Sequence, residues 1–512
     1  MGNKKKTLII IATAITVAIV LAILLSLRGC KSQIMSTCTI IGFYADQDSE
    51  VFNVVTVGDH KKVHIRLKKN EMYCPACGSR MKSKGWRSRE VNHPVLQGGS
   101  HLVLVLHQRK WHCPYCGEYT YDQFCFVEKY KQNTMLVPYM IIDAMRDLNV
   151  TGRQVAERFQ VSDTYVHNTF LSYVSMPRRP LSDVISIDEV YLNFNSENLY
   201  ALVILDFRTG EPIDILQNRK QETTEMYFRY LPEEERNRVK ILVCDMYEPY
   251  INFVTKYFPN AICVVDSFHV IQNLIQNLRY YVNNVKRRYQ ERDNAALKEK
   301  NYQTNRDSHT IKESNEVFIL KRYYWALLKN KDDIAYSLTP YYSRKLRMAL
   351  DTFQIENMFL DLDPAFRPMR DLKEIYIRFN RDHQDNPEGA AEELDQIIEI
   401  YKNADYLIFR DFARLLSRYR NEIVNSFIYV TVKLHNQNDS VLRRVSNGPM
   451  ESWNNIPKDY KRNSNGVSDF EYTRNRILWA TRSDAHPRAV PIKKIKYVPT
   501  KKRGPYKKKT RN

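Results

Sequence analysis

The chain has little cysteine for its length, nine in 512 residues, which excludes a fold built on a disulfide framework. It has no internal repeats, which argues against a solenoid or array. Acidic residues are outnumbered, 58 Asp and Glu against 78 Lys and Arg, for a formal net charge of +20. A surplus of that size favours a polyanionic partner, either nucleic acid or an anionic membrane surface. Between Lys493 and Arg511 acids are missing altogether, and ten basic residues stand there with Tyr497 and Tyr506 among them. This tail reads as a flexible phosphate-binding arm, since counterion release needs charge density more than fixed geometry. A solvated tail that only aids solubility is the alternative. Apolar material is not lacking: 43% hydrophobic and 12% aromatic residues suffice for two or more domains with substantial cores.

One apolar run stands apart. Thr7 to Leu27 is 21 uncharged residues after Lys4, Lys5 and Lys6, long enough to span a bilayer. By itself it reads as a signal anchor or signal peptide. Arg28-Gly29-Cys30 fits a lipoprotein cleavage box poorly, because Arg28 is bulky and charged. Such a span would carry the rest of the chain out of a reducing compartment. Met35-Ser36-Thr37 offers an alternative start. The leading expectation is that residues 1–34 derive from an upstream fusion or a misplaced start codon, with membrane attachment only if they are genuine.

Four cysteines form two identical knuckles, Cys74-Pro75-Ala76-Cys77-Gly78 and Cys113-Pro114-Tyr115-Cys116-Gly117. Each sets two thiolates on one tight turn, with Gly letting the backbone fold back, and two such turns complete a tetrahedral Zn²⁺ site. Residues 35–130 therefore resemble a zinc ribbon, with Lys82, Lys84, Trp86, Arg87 and Arg89 between the knuckles. His93, His101, His107, His112 and Cys125 read as packing or surface residues. Residues 131–178 read as helical. Thr151 and Ser162 are placed to cap two short helices, with Val155, Ala156, Val161 and Val166 as their shared core. This is a helix-turn-helix pattern, in which Asp163, Thr164, Tyr165 and Asn168 would lie near bases; two ordinary bundle helices are the alternative.

From Leu181 the periodicity becomes strand-like. The segments 184–192, 199–207, 212–217, 239–244 and 261–265 read as strands, with helices over 222–230 and 248–257. Three meander strands, then helix, strand, helix, strand, is the order of an RNase H-like α/β core (residues 179–270). Residues 271–442 are expected as a large all-α insertion, residues 443–485 as the last helical region of the core and 486–512 as the basic tail.

Asp188 interrupts an apolar strand, where an unpaired carboxylate is costly, so a function explains it better than packing does. Asp245 ends the fourth strand, which in this fold order lies beside the first. Glu451 begins a late helix and can supply a third acid, although alone it reads as an ordinary first-turn helix acid. Three such carboxylates suit Mg²⁺ or Mn²⁺, and two divalent ions provide what phosphodiester cleavage and transfer require. Glu189 points to the opposite face by strand alternation.

Ser186-Ile187-Asp188-Glu189, Val243-Cys244-Asp245-Met246 with Tyr250, Phe258-Pro259-Asn260-Ala261, Asp266-Ser267-Phe268-His269-Val270 and Asn447-Gly448-x-x-Glu451-x-x-Asn454 resemble the ISL-three family of insertion-sequence transposases. The resemblance runs from about Met35 to the C-terminus. It implies DNA cleavage at terminal inverted repeats, transfer of the 3′-OH ends to target DNA, and Asp188, Asp245 and Glu451 as the catalytic set. Related Mutator-type enzymes carry a Cys-or-Asp, x, x, His motif that Asp266 and His269 match, so these two are expected to shape the site; a helix-start hydrogen bond is the other reading of His269. Lys458, Arg462, Gly466, Phe470, Arg474 and Arg476 continue the family pattern, with the basic ones expected on DNA. The resemblance also implies a homo-oligomer in the synaptic complex and a cytoplasmic, nucleoid-associated location. A non-catalytic DNA-binding regulator, a membrane-tethered protein and a stand-alone nuclease are the competing readings.

Overall fold

The computed structural model describes residues 48–97, 100–304, 313–383, 389–433 and 439–492. The Thr7–Leu27 run, Met35 and the Lys493–Arg511 tail lie outside the described residues. Among the described residues no helix is long and apolar enough to cross a membrane. The chain divides at Ser175/Met176 into two compact units, with the described residues from His486 onward belonging to the first.

The first unit is built on five strands: β1 (Ser49–Val57), β2 (His60–Leu67), β3 (Lys82–Gln97), β4 (Ser100–His112) and β5 (Tyr119–Tyr121). Their order is β1-β2-β4-β3, with β5 on β4; β2 and β4 are parallel and the other pairs antiparallel. Period-two alternation puts Val63 and Ile65 of β2 on one face with Leu102, Leu104 and Leu106 of β4, buried with Phe124 and Phe126. Three helices follow, α1 (Leu136–Ala144), α2 (Gly152–Phe159) and α3 (Asp163–Tyr173). Thr151 caps α2 in a reciprocal box with Gln154, and the Ser162 hydroxyl accepts from the Tyr165 amide to start α3. Gln160 makes the turn between them in the left-handed region, φ 53°. Val155, Ala156 and Val166 are buried as expected, whereas Val161 is only half-buried.

The second unit centres on a sheet of β6 (Val184–Asn195), β7 (Asn198–Asp206), β8 (Pro212–Leu216), β9 (Ile241–Cys244) and β10 (Ile262–Val265). The strand order is β10-β9-β6-β7-β8. The β6-β7-β8 meander is antiparallel, while β6, β9 and β10 run parallel. Helices α4 (Gln221–Arg229), α5 (Glu233–Arg238) and α6 (Glu248–Tyr257) make the crossovers. Phe228, Phe253 and Tyr257 pack on one sheet face beside Ile185, Ile187, Leu202 and Ile204. Parallel strands covered on both faces read as continuous apolar runs, which is why 241–244 and 262–265 show no alternation.

A 38-residue helix, α7 (Ser267–Thr304), leaves the end of β10 and enters a mainly helical region with its own core around Phe359, Phe366, Tyr376, Phe409 and Phe412. That region is not all-α, as its sequence suggests. It contains two short antiparallel pairs, β11 (Tyr341–Ser343) with β12 (Met348–Leu350) and β13 (Tyr429–Lys433) with β14 (Ser440–Arg444). The second pair obeys strand physics. Val430 and Val432 alternate inward and share a core with Val184, Ile241, Val243 and Val264 of the main sheet. Two further helices close the unit, running Gly448–Asn463 and Phe470–Thr481.

Candidate active site

Register places the acids. β6 and β9 pair in parallel with Ser186 opposite Val243, so Asp188 comes level with Asp245 two residues on. β9 and β10 pair with Cys244 opposite Val265, so Asp266 comes level with Asp245 from the other side. Three aspartates thus form one row where β9 and β10 end beside the continuing β6, an edge of the kind at which open α/β sheets commonly bind ligands.

The helix Gly448–Asn463 lies over this row. Positions 447, 451 and 454 are four and three residues apart, hence on one helix face. The backbone amide of Asn447 donates to Asp266 Oδ1 at 3.1 Å, and its Nδ2 donates to Asp245 Oδ1 at 3.3 Å. Asn454 Nδ2 donates to Asp188 Oδ2 at 2.8 Å. Glu451 lies between these two positions. From the start of α7, His269 Nε2 approaches Asp245 Oδ1 to 2.7 Å and Glu451 Oε1 to 3.9 Å. Donor atoms of Asp266, His269 and Glu451 all lie within 4.8 Å of one another, close enough to share a metal ion.

The electrostatics are those of a site short of positive charge. Burial and the neighbouring Asp245 push the Asp188 carboxyl up to about 7. Burial also raises Asp266, and burial with the charge of Asp266 raises Glu451. Burial opposes the imidazolium of His269, but contact with Asp245 and the charges of Asp266 and Asp188 outweigh it and lift its pKa to about 9. The acids around it thus favour the imidazolium form of His269, which stands between Asp245 and Glu451.

Glu189 turns away from the row, as alternation requires. It accepts from the Tyr250 hydroxyl at 2.5 Å and pairs with Arg219. These residues line a cleft of about 290 Å³ that Asp245, His269, Gln272 and Gln276 also border.

In the first unit the four knuckle cysteines converge. Their Sγ atoms lie 3.5 Å apart for Cys74 and Cys116, 3.6 Å for Cys77 and Cys113, and 3.5 Å for Cys77 and Cys116. A tetrahedron of ~2.3 Å Zn–S bonds has edges of about 3.8 Å, so the thiolates are already spaced for zinc. The two turns are built alike. Gly78 and Gly117 take φ of 73° and 79°, and their amides donate to the Cys74 and Cys113 carbonyls.

The residues expected on DNA divide. Asp163, Thr164 and Asn168 are exposed on α3, whereas Tyr165 is half-buried, with its hydroxyl engaged by Asn133 and Thr169. Lys458 and Arg462 are exposed. Arg474 and Arg476 are not surface residues, which corrects the expectation. Arg476 is 1% exposed. The Arg474 guanidinium pairs with Asp214 of β8 and donates to the Met176 carbonyl at 2.8 Å. The Arg474 contacts are structural ties within the unit. Arg474→Ala is expected to destabilise by about 3–5 kcal/mol, because it strands Asp214 as a buried, unpaired charge. Thermal or denaturant unfolding measures this; a loss below about 1 kcal/mol would make the pair a mere surface contact.

Asn447 and Asn454 belong to the site although their residue type alone does not mark them. The signal in the sequence is their helical spacing around Glu451, and burial settles the matter: both are under 3% exposed while bonded to the aspartates.

Residues 185–477 match the family profile described as Transposase, of the ISL3 type. The chain belongs to the ISL3 transposase family. Residues 70–120 match the zinc finger of the IS204/IS1001/IS1096/IS1165 transposases, which contains both cysteine knuckles. The ISL3-family chain is also similar to the transposase for insertion sequence element IS1001 of Bordetella parapertussis, 23% identical over 215 residues. That alignment covers 41% of this chain and 52% of the relative, so the match spans about half the relative's length. Both profiles agree with the family that the motifs imply, and the cysteine cluster is a zinc-ribbon metal site by match and by geometry.

Proposed function

We propose that the chain is a DNA transposase that binds the terminal inverted repeats of its own insertion sequence, cleaves DNA and transfers the 3′-OH ends to target DNA. Asp188, Asp245 and Glu451 hold two divalent cations, Mg²⁺ or Mn²⁺, while Asp266 and His269 shape the site. The observation that carries this reading is the row Asp188, Asp245 and Asp266, set by strand register, with Glu451 brought over it by a helix far along the chain. The strand order supports an RNase H-like core into which the helical region of residues 271–442 is inserted. The α2–α3 pair, capped at Thr151 and Ser162, supports a helix-turn-helix with Asp163, Thr164 and Asn168 facing bases. The enzyme acts as a homo-oligomer in the synaptic complex.

The donor set fits the cations. Four carboxyl groups and one imidazole converge, and three of those carboxyls are held above their usual range for want of positive charge. Hard oxygen donors of this kind suit Mg²⁺ and Mn²⁺. When bound, two such ions activate the attacking oxygen and stabilise the leaving one. The chain's own groups do the positioning: Asn454 orients Asp188, Asn447 orients Asp245 and Asp266, and His269 stands against Asp245.

The test is cleavage of DNA carrying the flanking inverted repeats, with Mg²⁺ or Mn²⁺. Nicks mapping to the element ends and leaving 3′-OH termini are the expected result; protein that binds the ends but never cuts them would refute the catalytic reading. Asn454→Ala is expected to slow this cleavage by roughly 10–100-fold without changing end binding, the usual cost of losing a group that orients a metal ligand. An unchanged rate would remove Asn454 from the site.

A further inference from the structure

In the first unit, Arg87 and Arg89 of β3 face the same side of the sheet, opposite Gln108 and Leu106 of β4. They line a cavity of about 190 Å³ with Lys129 and the rings of Tyr119, Tyr121 and Tyr130. Arg87 is fixed in place: its guanidinium lies 3.6 Å from the Tyr121 ring centre, and its Nε donates to Gln108 Oε1 at 3.2 Å. Arg89 is half-buried, and its Nε is buried with no hydrogen-bond partner among the described residues. None of the residues lining this cavity is acidic.

Several partly buried arginines of the second unit do have a carboxylate: Arg178 has Glu235, Arg179 has Glu211, Arg208 has Asp183 and Arg474 has Asp214. A half-buried guanidinium beside a second one, with no acid lining the cavity, costs stability. Burial and the charge of Arg87 accordingly lower the Arg89 pKa. Such an arrangement makes physical sense where the anion arrives from outside. Two guanidinium groups lining one cavity suit the oxygens of a phosphate, and exposed aromatic rings at the rim suit a sugar or base beside it.

We infer that this cavity binds a backbone phosphodiester of DNA, as a fixed phosphate clamp on the zinc-ribbon unit. The identity of the ligand rests on the proposed function; the anion site itself rests on the geometry. The clamp sets the position of the DNA and leaves sequence reading to other elements.

The experiment uses the full-length, zinc-loaded protein and duplex DNA carrying the element ends, with affinity measured over a range of salt. Arg87→Gln and Arg89→Gln should each weaken binding on the order of tenfold, by loss of a charge-assisted hydrogen bond. The double variant should flatten the salt dependence by about 0.9 for each phosphate it no longer neutralises, with sequence preference unchanged. Because Arg89 is half-buried, Gln123→Glu supplies a check independent of folding. A carboxylate at the cavity wall should raise the melting temperature while weakening DNA binding, opposite signs that a purely structural role does not produce. In a third arm, inorganic phosphate should raise the melting temperature of the wild type but not of Arg89→Gln.

Wild-type affinity and salt slope in the double variant, or full DNA binding by Gln123→Glu, would overturn the clamp alone. A phosphate effect in a wild-type protein that binds no duplex would overturn the DNA backbone as ligand, and the transposase reading with it.

Discussion

Asp245→Asn is expected to abolish strand cleavage, lowering the rate on the order of 10³-fold or more, while end binding persists. Asp245 is the middle acid of the row, level with Asp188 on one side and Asp266 on the other, and is the carboxylate that His269 contacts. The amide keeps the shape of the side chain and removes the charge, so the sheet should survive while affinity for divalent cations collapses. Asp188→Asn should behave the same way, since Asp188 is held by Asn454 over the same site. Asp206→Asn is the control: that acid accepts from the Arg208 amide and the Thr209 hydroxyl in a turn and should leave cleavage intact. The measurement is cleavage at fixed occupancy of the DNA ends. Cleavage by Asp245→Asn within tenfold of wild type would remove this acid from the chemistry and overturn the assignment of the site.

Removing metal from the cysteine cluster is expected to unfold the knuckle end of the first unit, because metal binding free energy is folding free energy in such a site, about 10 kcal/mol or more. The local core is too small to hold without it: Cys74, Met81, Trp111 and Cys113 form a cluster of four buried residues. Cys113→Ser, or a strong chelator, should expose Trp111, whose indole now donates to Asp122 at 2.7 Å. A red shift of Trp111 emission reads this directly. The second unit, which has its own sheet and helical core, should keep its own unfolding transition. Zinc absent on elemental analysis of native protein, or a Trp111 signal indifferent to chelator, would refute the assignment.

Some of this molecule is legible one segment at a time. Each knuckle is complete within five residues, since CPxCG fixes the turn, the direction of the thiolates and the left-handed glycine together. Thr151 and Ser162 are legible as caps for the same reason, because a cap hydroxyl reaches an amide only three residues away. Strand alternation identifies Asp188 as an anomaly and turns Glu189 away from it without any tertiary information.

Other features depend on contacts that no local pattern contains. An arginine on an amphipathic helix reads as a surface cation, and only the arrival of Asp214, 260 positions earlier in the chain, makes Arg474 a buried tie. The β13–β14 pair lies inside a charged, helix-rich stretch, and its valines read as strand residues only once the main sheet gives them a face to cover. The carboxylate site shows both regimes. Sequence alone determined that Asp188 is an unusual acid and that two thiol pairs face one metal, because strand period and knuckle geometry are short-range properties. Tertiary structure alone decided that Asp266 stands level with Asp245, that Asn447 and Asn454 hold the row, and that His269 lies between Asp245 and Glu451. Those relations depend on parallel register and on a helix returning across the sheet, which long-range packing sets.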